Sequence, residues 1–212
     1  MKIPEFYKII NQREHNQYLV LNEVTNVVCI LKVLNIFDEF VYKYLAENKN
    51  KFTPTIYDLQ RDDDKLYVFE ELIQGDTLAD YLLKNNISDG QKLNILLQIC
   101  EALTFLHGAP RPINNSNRKC SNYWYSLNII HRDLKPTNIM ITSGEQIKLI
   151  DYDASRSYKV GKEEDTVFVG TQKYAAPEQY GFAQSDARTD VFAMGKIIKE
   201  LFPNDKNMLK IS

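Results

Sequence analysis

The chain has 212 residues, 44% hydrophobic and 25% charged, which places it in the soluble globular class rather than the disordered one. Its 26 basic and 28 acidic residues leave a formal charge of -2, so no general field gathers nucleic acid or anionic membrane, and any anionic ligand must be held locally. The start, Met1 to Tyr7, has no signal-peptide pattern, no apolar run approaches the roughly 20 residues that span a bilayer, and the scattered Cys29, Cys100 and Cys120 lack metal-ligand spacing, which fits a reducing cytoplasm without a membrane span.

In chain order, β-rich runs alternate with turns. Phe6 to Ile10, Tyr18 to Asn22, Val27 to Leu34, Thr55 to Leu59 and Leu66 to Leu72 predict an antiparallel sheet, the last two joined by the turn at residues 61–65. Between the third and fourth runs, Phe40, Val41, Tyr44 and Leu45 recur at helical spacing, so one helix is expected on the sheet, capped by Asn35 or Asp38. Gly75 is the first glycine and marks a boundary, with a short helix expected from Asp76. The Ser88 and Gln91 spacing of a capping box opens a long helix with Leu93, Leu96, Leu97, Cys100, Leu103 and Leu106 on its apolar face; Cys29 and Cys100 are expected as small core hydrophobes. Residues 110–128, with Trp124, read as a surface loop. A hairpin is expected from Ile139 to Ile150, and after Ser185 a final helix with Val191, Met194, Ile198 and Leu201 inward, ended by Pro203.

The chemistry concentrates in His131-Arg132-Asp133-Leu134-Lys135-Pro136-Thr137-Asn138, between the long helix and the hairpin, and in Asp151 at the hairpin's end. Phosphoryl transfer needs a carboxylate to orient a hydroxyl and take its proton, plus oxygen ligands for magnesium. Asp133, Asn138 and Asp151 form such a set.

The run resembles the catalytic loop of protein kinases of the Ser/Thr, bacterial-like type. Asp151-Tyr152-Asp153 resembles their Asp-Phe-Gly segment, and Gly170 to Glu178 resembles the end of their activation segment with its Ala-Pro-Glu motif. Asp190 with Gly195 resembles the start of the helix that anchors the catalytic loop. The resemblance implies an α+β, two-lobed kinase-like fold: a small antiparallel sheet with one helix in residues 1–74, and a mainly helical lobe in 75–212. It implies Asp133 as catalytic base, Lys135 on the transferred phosphate, Thr171 beside the base, and Asn138 and Asp151 on magnesium. Lys32, on the third strand, would hold the ATP phosphates, with Glu71 and Ile73 in the hinge that reaches the adenine.

The sequence departs from the family at several points. No glycine precedes Gly75, so the phosphate-cradling glycine-rich loop has no counterpart, and residues 11–17, with Arg13 and His15, take its place. Ile30 stands where the family has alanine over the adenine, and Glu70 falls at the back of the pocket. No glutamate aligns with the helix partner of Lys32; Glu39 is the choice. Asp153 replaces a glycine, and Ser212 ends the chain shortly after the anchoring helix, where the family continues.

The expected activity is transfer of the ATP γ-phosphate to Ser or Thr of a protein partner. The alternatives are a pseudokinase acting as a binding or scaffold module, and a small-molecule phosphotransferase, against which Lys135 and Ala176-Pro177-Glu178 speak. Arg132 calls for negative charge in the activation segment, with Thr166 the best phosphosite and Glu163, Glu164 and Asp165 standing substitutes.

Overall fold

The structure is a computed structural model that describes residues 3–14, 16–108, 129–157, 171–180 and 184–204. His15, Cys120, the 110–128 segment with Trp124, and Glu163 to Thr166 lie outside the described residues. The chain falls into two compact units, Met1–Asn85 with Thr137–Asp153, and Asn86–Pro136 with Ala154–Ser212. The 1–74 and 75–212 division thus differs at two places: residues 75–85 and the hairpin after Asn138 both go with the first unit.

The first unit is built on a five-stranded sheet in the order β1-β2-β3-β5-β4, antiparallel throughout. Its strands are β1 (Tyr7–Gln12), β2 (Gln17–Asn22), β3 (Val27–Leu34), β4 (Ile56–Asp62) and β5 (Lys65–Glu71). Alternation sets the faces. Tyr7, Val20, Cys29, Leu31, Tyr67 and Phe69 form one buried cluster, with Tyr7 and Phe69 stacked at 3.9 Å. Residues of the opposite parity, Ile30 and Lys32 on β3 and Val68 and Glu70 on β5, share the other face, in the register Ile30↔Glu70 and Lys32↔Val68.

Helix α1 (Glu39–Glu47) buries Val41, Tyr42, Tyr44 and Leu45, and Asp38 caps it by accepting from the Phe40 N–H. After β5, Gly75 and Asp76 continue as strand β6 (Gly75–Thr77), so the helix expected from Asp76 begins later, as α2 (Leu78–Lys84) capped by Thr77. The strand wins because β6 pairs with β8 (Ile139–Thr142), which in turn pairs with β9 (Ile147–Leu149). Glycine is required at residue 75 because a Cβ there would lie 2.1 Å from the Ile141 carbonyl oxygen.

The second unit centres on two helices. The Ser88–Gln91 capping box is formed at the start of α3 (Asp89–His107), which ends at Gly108 with φ 73°. Its buried residues are Ile95, Leu96, Ile99, Ala102, Leu103 and Leu106; Leu93 and Leu97 are 42% and 63% exposed, and Cys100 is exposed too, contrary to expectation. Apolar residues occupy more than one face of this helix, so its inward register is not set by composition alone. Helix α4 (Ala187–Leu201) is capped by Asp186 and buries Thr189, Asp190, Ala193, Ile197 and Leu201. Val191 faces outward at 58% exposure, whereas Met194 and Ile198 are half-buried, because the helix turns Asp190 into the interior instead. Both helices flank β7 (Ile129–Ile130), which pairs with β10 (Arg156–Ser157).

Candidate active site

In the first unit, Lys32 projects from β3 into a cavity of about 190 Å³ also lined by Arg13, Ile30, Glu70, Asn138 and Asp151. This is below the roughly 300–1,000 Å³ of drug-sized sites. Glu71 and Ile73 lie in the same wall. The Glu71 carboxylate accepts from Lys148 Nζ at 2.7 Å and from the Thr55 N–H at 3.0 Å, tying β5 to β9 and to the start of β4.

Lys32 is 4% exposed, and three carboxylates surround its amine: Asp151 at 3.3 Å, Glu70 at 3.4 Å and Asp153 at 3.6 Å. Burial opposes the charge, but these carboxylates outweigh it and hold the amine protonated well above its ordinary range. Burial pushes the Glu70 carboxyl up against the pull of Lys32, and raises that of Asp153 likewise. Glu39 does not take part. It is paired with Lys43 and Arg61, so the expected Lys32–Glu39 pair is replaced by Lys32–Glu70. The physical reason is position: Glu39 is the first residue of α1, at its solvent-facing start, while Val41 occupies the buried face. Helix α1 reaches the charged group through Tyr42 instead, whose hydroxyl donates to Asp153 at 2.8 Å.

Asp151 has φ 68°, a left-handed conformation that Asp tolerates better than most residues. Asp153 is not among the positive-φ residues, so the glycine it replaces is not demanded by its backbone here. The Asn138 amide and Asp151 carboxylate are hard oxygen donors lining the same cavity. Among the described residues no cluster of three or more His, Cys, Asp or Glu could form an all-protein cage. Such a sparse oxygen set fits magnesium, which is typically held by one or two carboxylates together with substrate phosphates.

In the second unit the Asp133 carboxylate is fixed on both oxygens. Lys135 Nζ donates to one at 2.6 Å; the Thr171 N–H and hydroxyl both donate to the other at 2.9 Å, and Lys135 also reaches the Thr171 hydroxyl at 2.8 Å. The loop carrying Asp133 is pinned from below by Asp190, fully buried, whose two oxygens accept the His131 and Arg132 N–H groups at 2.9 Å and meet His107 Nε2 at 2.8 Å. From the other side, Gln179 donates to the Arg132 carbonyl at 2.7 Å while accepting from the Ala176 N–H. Arg132, with φ 68°, is held in this turn by both. Glu178 accepts from the Thr189 hydroxyl at 2.7 Å. Sequence reasoning missed Gln179, a polar residue just after Ala-Pro-Glu whose burial is the only signal of its role, and missed Glu70 as the partner of Lys32.

The family model "Protein kinase domain" matches residues 118–210. The chain is 34% identical over 142 residues to RGS domain-containing serine/threonine-protein kinase A of Dictyostelium discoideum, covering 66% of this chain and 11% of that protein. It is 27% identical over 154 residues to serine/threonine-protein kinase A of Synechocystis sp., covering 70% and 27%. Mitogen-activated protein kinase mpkA of Aspergillus fumigatus is 26% identical over 222 residues, covering 94% and 48%. The chain thus spans less than half the length of these curated relatives.

Proposed function

Since the chain belongs to the protein kinase family, we propose that it transfers the γ-phosphate of ATP to Ser or Thr hydroxyls of a protein substrate, in the cytoplasm. The observation that carries this reading is the Asp133–Lys135–Thr171 network, which leaves a carboxylate oriented by three donors beside a cation. Asp133 orients the substrate hydroxyl and accepts its proton as the new phosphorus–oxygen bond forms and the bond from the γ-phosphorus to the departing ADP breaks. Lys135 offsets charge on the phosphoryl group in flight, and Thr171 keeps the carboxylate from rotating. Lys32 engages the nucleotide phosphates, the wall formed by Glu71 and Ile73 takes the base, and Asn138 and Asp151 would hold magnesium. When bound, magnesium neutralises charge on the phosphates.

A second reading, a pseudokinase that binds partners without transfer, is favoured by the lack of any glycine before Gly75 and by Ile30 in the cavity wall. Thermal melting tests the nucleotide binding that the first reading requires. A ligand at about 100 times its dissociation constant adds about 2.7 kcal/mol to stability, which raises Tm by several degrees. Millimolar Mg-ATP should therefore shift Tm of the wild type and of Asp133→Asn, and shift Asp151→Asn less. No shift in folded wild-type protein would favour the pseudokinase.

A further inference from the structure

We infer that Glu70, on the interior strand β5 beside β3, is the positioning residue for Lys32, taking over from within the sheet the part otherwise given to a glutamate on the adjoining helix. The inference rests on the kinase reading above for what Lys32 does, but the pair itself stands on geometry.

Three observations carry it. Lys32 and Glu70 lie on the same face of adjacent antiparallel strands, offset by two residues in the register, which brings long side chains together diagonally. They meet at 3.4 Å, with both residues almost fully buried. The Glu70 Oε2 atom has no hydrogen-bond partner among the described residues, so nothing in the described structure competes with Lys32 for this carboxylate. On helix α1, Glu39 is engaged by Lys43 and Arg61, Val41 is apolar, and Glu47, the last residue of the helix, is exposed.

The consequence is mechanical. A lysine held only by Asp151 and Asp153 would be drawn wholly to that side, onto an oxygen assigned to magnesium. Glu70 pulls from β5 and keeps the amine between them, available to phosphate. Because β3 and β5 are hydrogen-bonded neighbours in one sheet, the pair is formed whenever the sheet is folded. It does not depend on how α1 docks.

The test compares Glu70→Gln, Lys32→Met, their double variant and Glu39→Gln, each checked for cooperative unfolding, for Mg-ATP affinity by calorimetry. Loss of a charge-assisted contact predicts about tenfold weaker binding for Glu70→Gln. Because Glu70 acts through Lys32, the double variant should bind no more weakly than Lys32→Met alone, and Glu39→Gln should bind as the wild type does. Additive losses from Glu70→Gln and Lys32→Met, or loss in Glu39→Gln with none in Glu70→Gln, would overturn the assignment. If folded wild-type protein binds no Mg-ATP, the kinase reading fails separately. The stability cycle on the same variants then decides: coupled Tm changes at Lys32 and Glu70 support the pair, and independent changes overturn it.

Discussion

At the scale of single residues, the structure separates what a side chain is from what it meets. Asp133, Asn138 and Asp151 are legible as a candidate phosphate-handling set from their types and spacing, and Lys32 only through the resemblance of its strand to that of the family. Glu70 is not legible, because its partner lies 38 residues away in sequence and only the β3–β5 register brings them together. Asp190 is intermediate: its resemblance to an anchoring residue is visible, whereas its use of both oxygens on successive backbone N–H groups is not. That use makes it sensitive. Asp190→Asn keeps the shape but turns an NH₂ group toward an N–H donor inside the protein. It should cost about 2–3 kcal/mol, the range for breaking a buried hydrogen bond to a charged group, as measured by urea unfolding. A change below about 0.5 kcal/mol, the size of an ordinary surface substitution, would contradict this account of the loop's support.

At the scale of elements, strands are more legible than helix faces. β3 falls at Val27–Leu34 as expected, and the other four strands of the large sheet differ from expectation only at their ends, since turn residues bracket each run. In α3 the run Leu93, Leu96, Leu97 reads equally well as several faces, and tertiary packing chooses the one with Ile95 and Ile99. Gly75 is a case where a boundary signal has a local cause: it permits the close pairing of β6 with β8. Gly75→Ala should destabilise by about 2 kcal/mol, because something must move to admit the methyl group; an unchanged denaturant midpoint would argue that this pairing is dispensable.

The Glu71–Lys148 contact between β5 and β9 gives a pH test at the same scale. Burial raises the Glu71 carboxyl, but Lys148 and the Thr55 N–H outweigh it and leave the group below its ordinary value. A depressed carboxylate stabilises above its unfolded pKa, about 4.3, and that contribution is lost as pH falls through the folded value. Lys148→Met should therefore cost about 1 kcal/mol at pH 7 and progressively less below pH 4.3. A cost that stays constant between pH 7 and pH 3 would assign it to packing instead.

At the scale of the whole molecule, each unit carries a coherent half of the proposed chemistry: Lys32, Asn138 and Asp151 lining one cavity, and Asp133, Lys135 and Thr171 in one hydrogen-bonded group. The run His131 to Asn138 passes from one unit to the other between Pro136 and Thr137, so a single short sequence contributes to both. The motif is informative as bare sequence for that reason. What it leaves out is the support around it, Glu70, Tyr42 and Gln179, which depends on long-range packing. The most direct measurement is phosphate transfer from Mg-ATP to a generic protein substrate by wild-type protein and by Asp133→Asn, with the modified residues identified by mass spectrometry. The account predicts phosphoserine or phosphothreonine from the wild type and a loss of about 10²–10⁴-fold in Asp133→Asn, the usual contribution of a general base. Equal signal from the two proteins, or none from folded wild-type protein that binds Mg-ATP, would contradict it.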